Sequence, residues 1–180
     1  MFREHYGPAL DSLFLIWGTS RLASPNHKKA RQLVLFKGIQ KIMDITYKLN
    51  TQISSDQFIE LLNSSSLGER RPIEDKSCME GMLKNSNLML TAWCGDQLVG
   101  LARSVTDFHY SCYLSDLAVS REFQKHGIGK ELQRLTQLQL GPKCKLILLA
   151  APLANDYYAP LGYKNNPRCW VLEPDVKLNH

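Results

Sequence analysis

Gln124-Lys125-His126-Gly127-Ile128-Gly129-Lys130 joins a strand-like run, residues 113–119, to a strongly amphipathic segment. Ile128, Leu132, Leu135 and Leu138 follow at helical spacing, which lays an apolar stripe along one face of a helix. Gly141-Pro142 then stops that helix. Glycines at a strand-to-helix junction let backbone amides crowd together, and a helix's first turn carries unpaired N–H groups and about half a positive charge. The stretch therefore reads as a cradle for a diphosphate. It holds neither GxxxxGK followed by Ser or Thr nor GxGxxG, which sets aside the nucleoside triphosphatase and dinucleotide loops.

A second block lies downstream. Residues 145–151 are a nearly unbroken apolar run, the pattern of a strand buried on both faces. Residues 155–161 suggest a short helix ending at Gly162, which Pro160 should hold to about one turn.

The QxxGxG pattern with its basic residue, preceded by Leu117-Ala118-Val119, resembles motif A of the GNAT superfamily of N-acetyltransferases. The segment Tyr157-Tyr158-Ala159-Pro160-Leu161-Gly162-Tyr163 is similar to the family's motif B. The resemblance spans roughly residues 43–173. It implies an α/β (α+β) fold, with a mixed, mostly antiparallel central sheet flanked by helices. The sheet should splay between the strands at 113–119 and 145–151 to admit a pantetheine arm. It further implies acetyl-coenzyme A as co-substrate, with no metal. Leu117, Ala118 and Val119 would face the acyl-pantetheine, and Gln124, Lys125, His126, Gly127, Ile128, Gly129 and Lys130 the diphosphate. Tyr158 takes the place of the tyrosine that many members use near the coenzyme sulfur. Where many members carry an asparagine seven residues earlier this chain has Ala151, which leaves Asn155 as the substitute.

Chemistry narrows the catalytic candidates. An alkyl ammonium of pKa ~10 must lose its proton before it can attack a thioester, and the departing thiolate must gain one. A phenol is neutral at pH 7 and able to give that proton, so Tyr158 is the expected general acid. Asp116, on the strand that would line the coenzyme, is the expected base, working through water. His109, Glu69 and Glu74 are alternatives, the first because it titrates in the right range. Tyr110, Tyr113, Tyr163 and Trp170 could line an aromatic acceptor pocket.

Charge is unevenly placed. Residues 1–42 hold seven basic residues against Glu4 and Asp11, while the rest of the chain carries fifteen of each sign. The expected division is a basic N-terminal extension, 1–42, and an acetyltransferase domain, 43–180, with Met43 as an alternative start. Deletion to Met43 should then leave a soluble, coenzyme-binding domain. A neutral catalytic domain argues against nucleic acid as partner. Five scattered cysteines without CxxC or histidines at zinc spacing argue against a metal or disulfide framework and for a reducing, cytoplasmic setting. Residues 13–17 are too short an apolar run for a membrane helix.

The remaining elements follow from periodicity and punctuation: a strand at 42–49, helices at about 55–62 and 73–84, a hairpin of Leu88–Cys94 and Gln97–Thr106 turning at Gly95-Asp96, a strand Ser111–Val119, and a last strand near 169–172. The expected activity is acetyl transfer to a primary amine by direct attack in a ternary complex. A small-molecule amine is the expected acceptor, with homodimerisation allowed. A peptide or protein amine, or a non-catalytic acetyl-coenzyme A sensor, are the alternatives.

Overall fold

A capping box starts the first helix among residues 44–178, the part of the protein that a computed structural model describes. Ser54 Oγ accepts from the Gln57 amide at 3.1 Å, and Gln57 Oε1 accepts from the Ser54 amide at 3.0 Å. These bonds satisfy two donors that a helix start leaves orphaned. Helix α1, Ser55–Ser64, runs on from this cap. Asp75 caps α2, Lys76–Lys84, by accepting from the Cys78 amide at 2.9 Å. This helix begins three residues later than expected. Pro72 restricts its predecessor to extended backbone, and a turn closed by the Ile73 and Asp75 amides uses up residues 71–75.

Among the described residues five strands form one sheet in chain order: β1 Ile45–Leu49, β2 Leu88–Cys94, β3 Gln97–Thr106, β4 Ser111–Val119 and β5 Lys145–Ile147. The first four pair antiparallel, and β5 joins β4 in parallel. Gly95, at φ 57°, turns the β2–β3 hairpin as expected. Residues 42 and 43 of the expected first strand, like the whole extension 1–42, lie outside the described residues.

Helices cover both faces. On one, Phe58, Leu61 and Leu62 of α1 and Met79 of α2 bury against Leu101 and Ala118, each all but inaccessible to water. Full burial of such a side chain contributes about 1.5–3 kcal/mol. On the other, helix α3, Ile128–Leu138, lies across β2 and β3. Gly100 permits that approach: a Cβ there would sit 3.1 Å from both Ile128 and Leu132 side chains. The stripe expected on α3 holds for Ile128 and Leu132 but fails at Leu138, which is exposed. Gln133 and Thr136 are buried in its place. Both are satisfied within the helix, Gln133 Nε2 donating to Gly129 O and Thr136 Oγ1 to Leu132 O.

Two expected strands are corrected. Residues 145–151 give only the short strand Lys145–Ile147, and its side chains are exposed or half-buried rather than enclosed on both faces. β5 is an edge, with β4 as its one partner among the described residues. Residues 169–172 form no strand, and Trp170 is 93 % exposed. Their apolar run pairs with no strand among the described residues, and pairing rather than propensity decides a strand. Helix α4, Asn155–Tyr158, stops after one turn and continues as a 3-10 turn, Ala159–Leu161, around Pro160, as expected.

Candidate active site

The sheet opens where β4 outruns β5. Pairing between them covers only Ser111 with Lys145, Cys112 with Leu146 and Tyr113 with Ile147, while β4 continues to Val119. From Leu114 onward the β5-facing side of β4 has no strand beside it among the described residues. A bulge marks the parting, since Arg103 pairs with Asp116 but Ser104 with Leu114, leaving Ser115 as the extra residue. The resulting cleft, of about 220 Å³, is lined by Leu117, Ala118, Val119 and Gln124 on one side and by Ala151, Ala154 and Tyr158 on the other.

The loop at the end of β4 has the backbone of an anion site. Lys125 sits at φ 64° and Gly127 at φ 84°, with His126 between them outside the left-handed region. Such alternation turns successive N–H groups to one side. Gly127 is the N-cap of α3 and, having no side chain, makes no cap bond, so the first-turn amides at Ile128, Gly129 and Lys130 are left open to a ligand. Left-handed backbone at a lysine costs of order 1 kcal/mol. Gln124 folds back, its Nε2 donating to Val119 O at 3.0 Å, which ties the loop to the strand end. Lys130 points instead toward a neighbouring groove that also contains Gln133, Arg134 and Tyr163.

Tyr158 is half-buried and stacks edge-on with Tyr157 and Tyr163, ring centroids 5.1 and 5.4 Å away. Burial, and secondarily Tyr157, raise its pKa above the ordinary phenol value, so the proton is held more firmly at neutral pH. Tyr163, more strongly affected by burial and then by its tyrosine neighbours, is pushed up to about 12. Gln133 binds this aromatic group to α3, accepting from the Tyr163 hydroxyl at 2.9 Å and donating to the Tyr157 hydroxyl at 3.3 Å. Gly129 makes room for it, because a Cβ there would lie 3.1 Å from the Tyr157 hydroxyl.

Asp116 has a different setting from that expected of a base. Its side chain is fully buried, and its two oxygens are taken by Arg71 Nε at 2.6 Å and Arg103 Nε at 2.5 Å. Arg71 Nη2 also donates to the carbonyl of the bulged Ser115, and Arg103 Nη2 to its hydroxyl, both at 2.8 Å. A carboxylate enclosed by two guanidinium groups has no route for passing protons to water. Asp116 anchors the bulge. Arg71 and Arg103 escaped the sequence reading, although the opposite charges of Arg103 and Asp116, mid-strand on adjacent arms of a hairpin, are a signal that finds such a pair.

The other candidates scatter. His109, Glu69 and Glu74 are exposed and do not line the cleft. Asn155 is exposed and outside the lining. Of the four aromatics, Tyr113 lines the cleft. Tyr163 lies in the neighbouring groove, Tyr110 holds Lys145 Nζ 4.9 Å above its ring, and Trp170 projects from the surface. They line no common pocket. No cluster of metal-ligating groups occurs among the described residues, and no helix among them is long and apolar enough to cross a membrane.

A parted sheet, an amide-lined loop before a helix and a tyrosine across the gap together define an acyltransferase architecture. The chain belongs to the GNAT acetyltransferases: the family model described as "Acetyltransferase (GNAT) domain" matches residues 67–168. It is an acyltransferase of the N-acetyltransferase class. A relative named "Uncharacterized N-acetyltransferase ycf52", from Pyropia yezoensis, is 27 % identical over 153 residues, covering 81 % of this chain and 86 % of its own. Solved structures share the fold. A GNAT family acetyltransferase from Streptococcus pneumoniae superposes with a TM-score of 0.58 at 22 % identity, over 71 % of this chain and 98 % of that one. The aminoglycoside N-acetyltransferase AAC(6')-Iy, solved in complex with CoA, does so at 0.56 and 14 %, over 73 % and 95 %.

Proposed function

We propose that this chain moves an acetyl group from acetyl-coenzyme A to the nitrogen of a small primary amine, by direct attack while both substrates are bound. The observation that carries the reading is the cleft between β4 and β5, with uncapped amides at one end and Tyr158 in its wall. The fit to the coenzyme is good in two respects. The open first turn of α3 suits a diphosphate, and the unpaired edge of β4 from Leu114 to Val119 offers main-chain groups to an extended arm.

Acetyl-coenzyme A supplies an acyl group activated as a thioester. Ile128, Gly129 and Lys130 would hold its phosphates through backbone N–H groups, helped by the turn at Lys125, His126 and Gly127. Leu117, Ala118 and Val119 would lie along its arm. As the amine nitrogen bonds to the thioester carbonyl carbon and the carbon–sulfur bond breaks, the sulfur takes a proton that Tyr158 holds at its hydroxyl. The amine proton leaves to water, since no Asp, Glu or His lines the cleft among the described residues. Holding both reactants in one cleft contributes more to the rate than either proton transfer.

The test is titration calorimetry with coenzyme A together with a thiol-release screen of primary amines, using wild type and Tyr158→Phe. Tyr158→Phe should bind the coenzyme normally and turn over about a hundredfold more slowly. Tight coenzyme binding without acetyl transfer to any amine gives the sensor reading instead, and transfer confined to peptides gives the protein-acetylating one.

A further inference from the structure

The acceptor end of the cleft is positively charged. Arg70 and Arg71 both line it, and among the described residues no Asp or Glu does. Glu69, next in sequence, is exposed and turned toward Arg121, 3.8 Å away. The triad of Arg71, Asp116 and Arg103 carries two positive charges against one negative, and no other ion pair among the described residues cancels the surplus. Of its members Arg71 is the one that water reaches, its side chain being 22 % exposed against 6 % for Arg103 and none for Asp116. The surplus charge is presented at the cleft.

Arg71 is also held in place. Its Nε donates to Asp116, its Nη1 to Arg70 O at 2.8 Å and its Nη2 to Ser115 O at 2.8 Å. Among the described residues these use three of the five guanidinium donors, which leaves one on each Nη of a fixed plane. A planar fork fixed in advance matches a carboxylate and loses little entropy on binding one. Arg71 is anchored at Ser115, four residues up β4 from Val119 and about 13 Å from it at the usual strand rise, toward the other end of the cleft from the amide-lined loop.

We infer that the acceptor is a primary amine bearing a carboxylate, which Arg71 and Arg70 engage while the amine faces the acyl group beside Tyr158. This rests on the acetyltransferase reading above and deepens it. It sets this chain apart from an enzyme for polycations, whose acceptors would meet two arginines and no counter-charge at the cleft. Asp116 acts as a positioning residue by fixing the Arg71 fork.

The test uses the full chain with acetyl-coenzyme A and matched acceptors: phenylalanine against phenethylamine, lysine against cadaverine, and spermidine as polycation. Thiol release is measured for wild type, Arg70→Gln and Arg71→Lys, with coenzyme affinity measured in parallel. A charge-assisted bond of this kind should give the carboxylated member of each pair about a tenfold to hundredfold advantage in kcat/KM. Both variants should shrink that ratio through KM. Arg70 is exposed, so Arg70→Gln reports on the acceptor even where Arg71→Lys perturbs the fold. Equal use of both members, preference for spermidine, or a ratio unmoved by either variant overturns the inference while leaving acetyl transfer intact. A chain that binds coenzyme A but leaves phenylalanine and lysine unacetylated overturns this inference alone, whereas one that binds no coenzyme removes the proposed function and this inference with it.

Discussion

Replacing Asp116 by asparagine separates a structural carboxylate from a catalytic one. The substitution keeps the shape but removes the charge that two guanidinium groups share. Asn Oδ1 can accept from one arginine, while its NH2 group meets the other, so two donors face each other in a buried site. Arg103, 6 % exposed, cannot turn to water, whereas Arg71 at 22 % partly can. Removing one partner of a buried ion pair costs about 3–5 kcal/mol. That is a large share of a total stability of roughly 5–15 kcal/mol. At roughly 3–4 °C per kcal/mol for a domain of this size, the melting temperature should fall by about 10–20 °C. The double variant Arg103→Met with Asp116→Leu removes the two most deeply buried charges, leaves Arg71 with its partial access to water, and should recover part of the loss, because apolar replacement of a buried pair is often neutral. Thermal unfolding followed by circular dichroism measures all three proteins. An Asp116→Asn protein that melts within about 2 °C of wild type yet loses a hundredfold or more in kcat would overturn this reasoning and restore Asp116 as the base.

Three further outcomes follow from local geometry. Gly127→Ala meets no atom within 4 Å, so its cost is the positive φ of 84° alone, about 1–2 kcal/mol, seen as a modest drop in melting temperature. Gly100→Val forces side-chain atoms into Ile128 and Leu132, where even a Cβ would sit at 3.1 Å, and should cost about 1–3 kcal/mol or more in denaturant unfolding. Asp107 accepts from the Tyr110, Ser111 and His109 amides in the β3–β4 turn, which lowers its pKa from 3.8 to about 2. A depressed carboxylate stabilises the fold above its unfolded value and loses that contribution as pH falls through the folded one. Melting curves of wild type and Asp107→Ala should therefore converge as pH drops from about 4 to 2, and a gap that stays constant across this range would count against the turn's role.

Local pattern and tertiary contact divided the work unequally along this chain. The Gly95 turn, the strands Leu88–Cys94, Gln97–Thr106 and Ser111–Val119, and the glycine-containing loop before α3 were legible because neighbours in sequence produce them. A cap, a turn or a positive φ is a relation among four or five consecutive residues. The parting of β4 from β5, the bulge at Ser115 and the pairing of Asp116 with Arg71 were not, because each is set by packing between separate elements rather than by neighbours in sequence. Arg71 and Asp116 are 45 apart, and no local pattern of polarity marks them as neighbours. The same reason explains the strands that failed. Residues 145–151 and 169–172 have the apolar content of strands, but a strand needs an edge to pair with, and whether one is present is settled by the whole sheet. The sequence alone thus pointed to the family, to most of the elements and to the loop proposed to take the diphosphate. Tertiary structure alone decided that the expected base is a buried anchor, and that the charge left over at the cleft is positive.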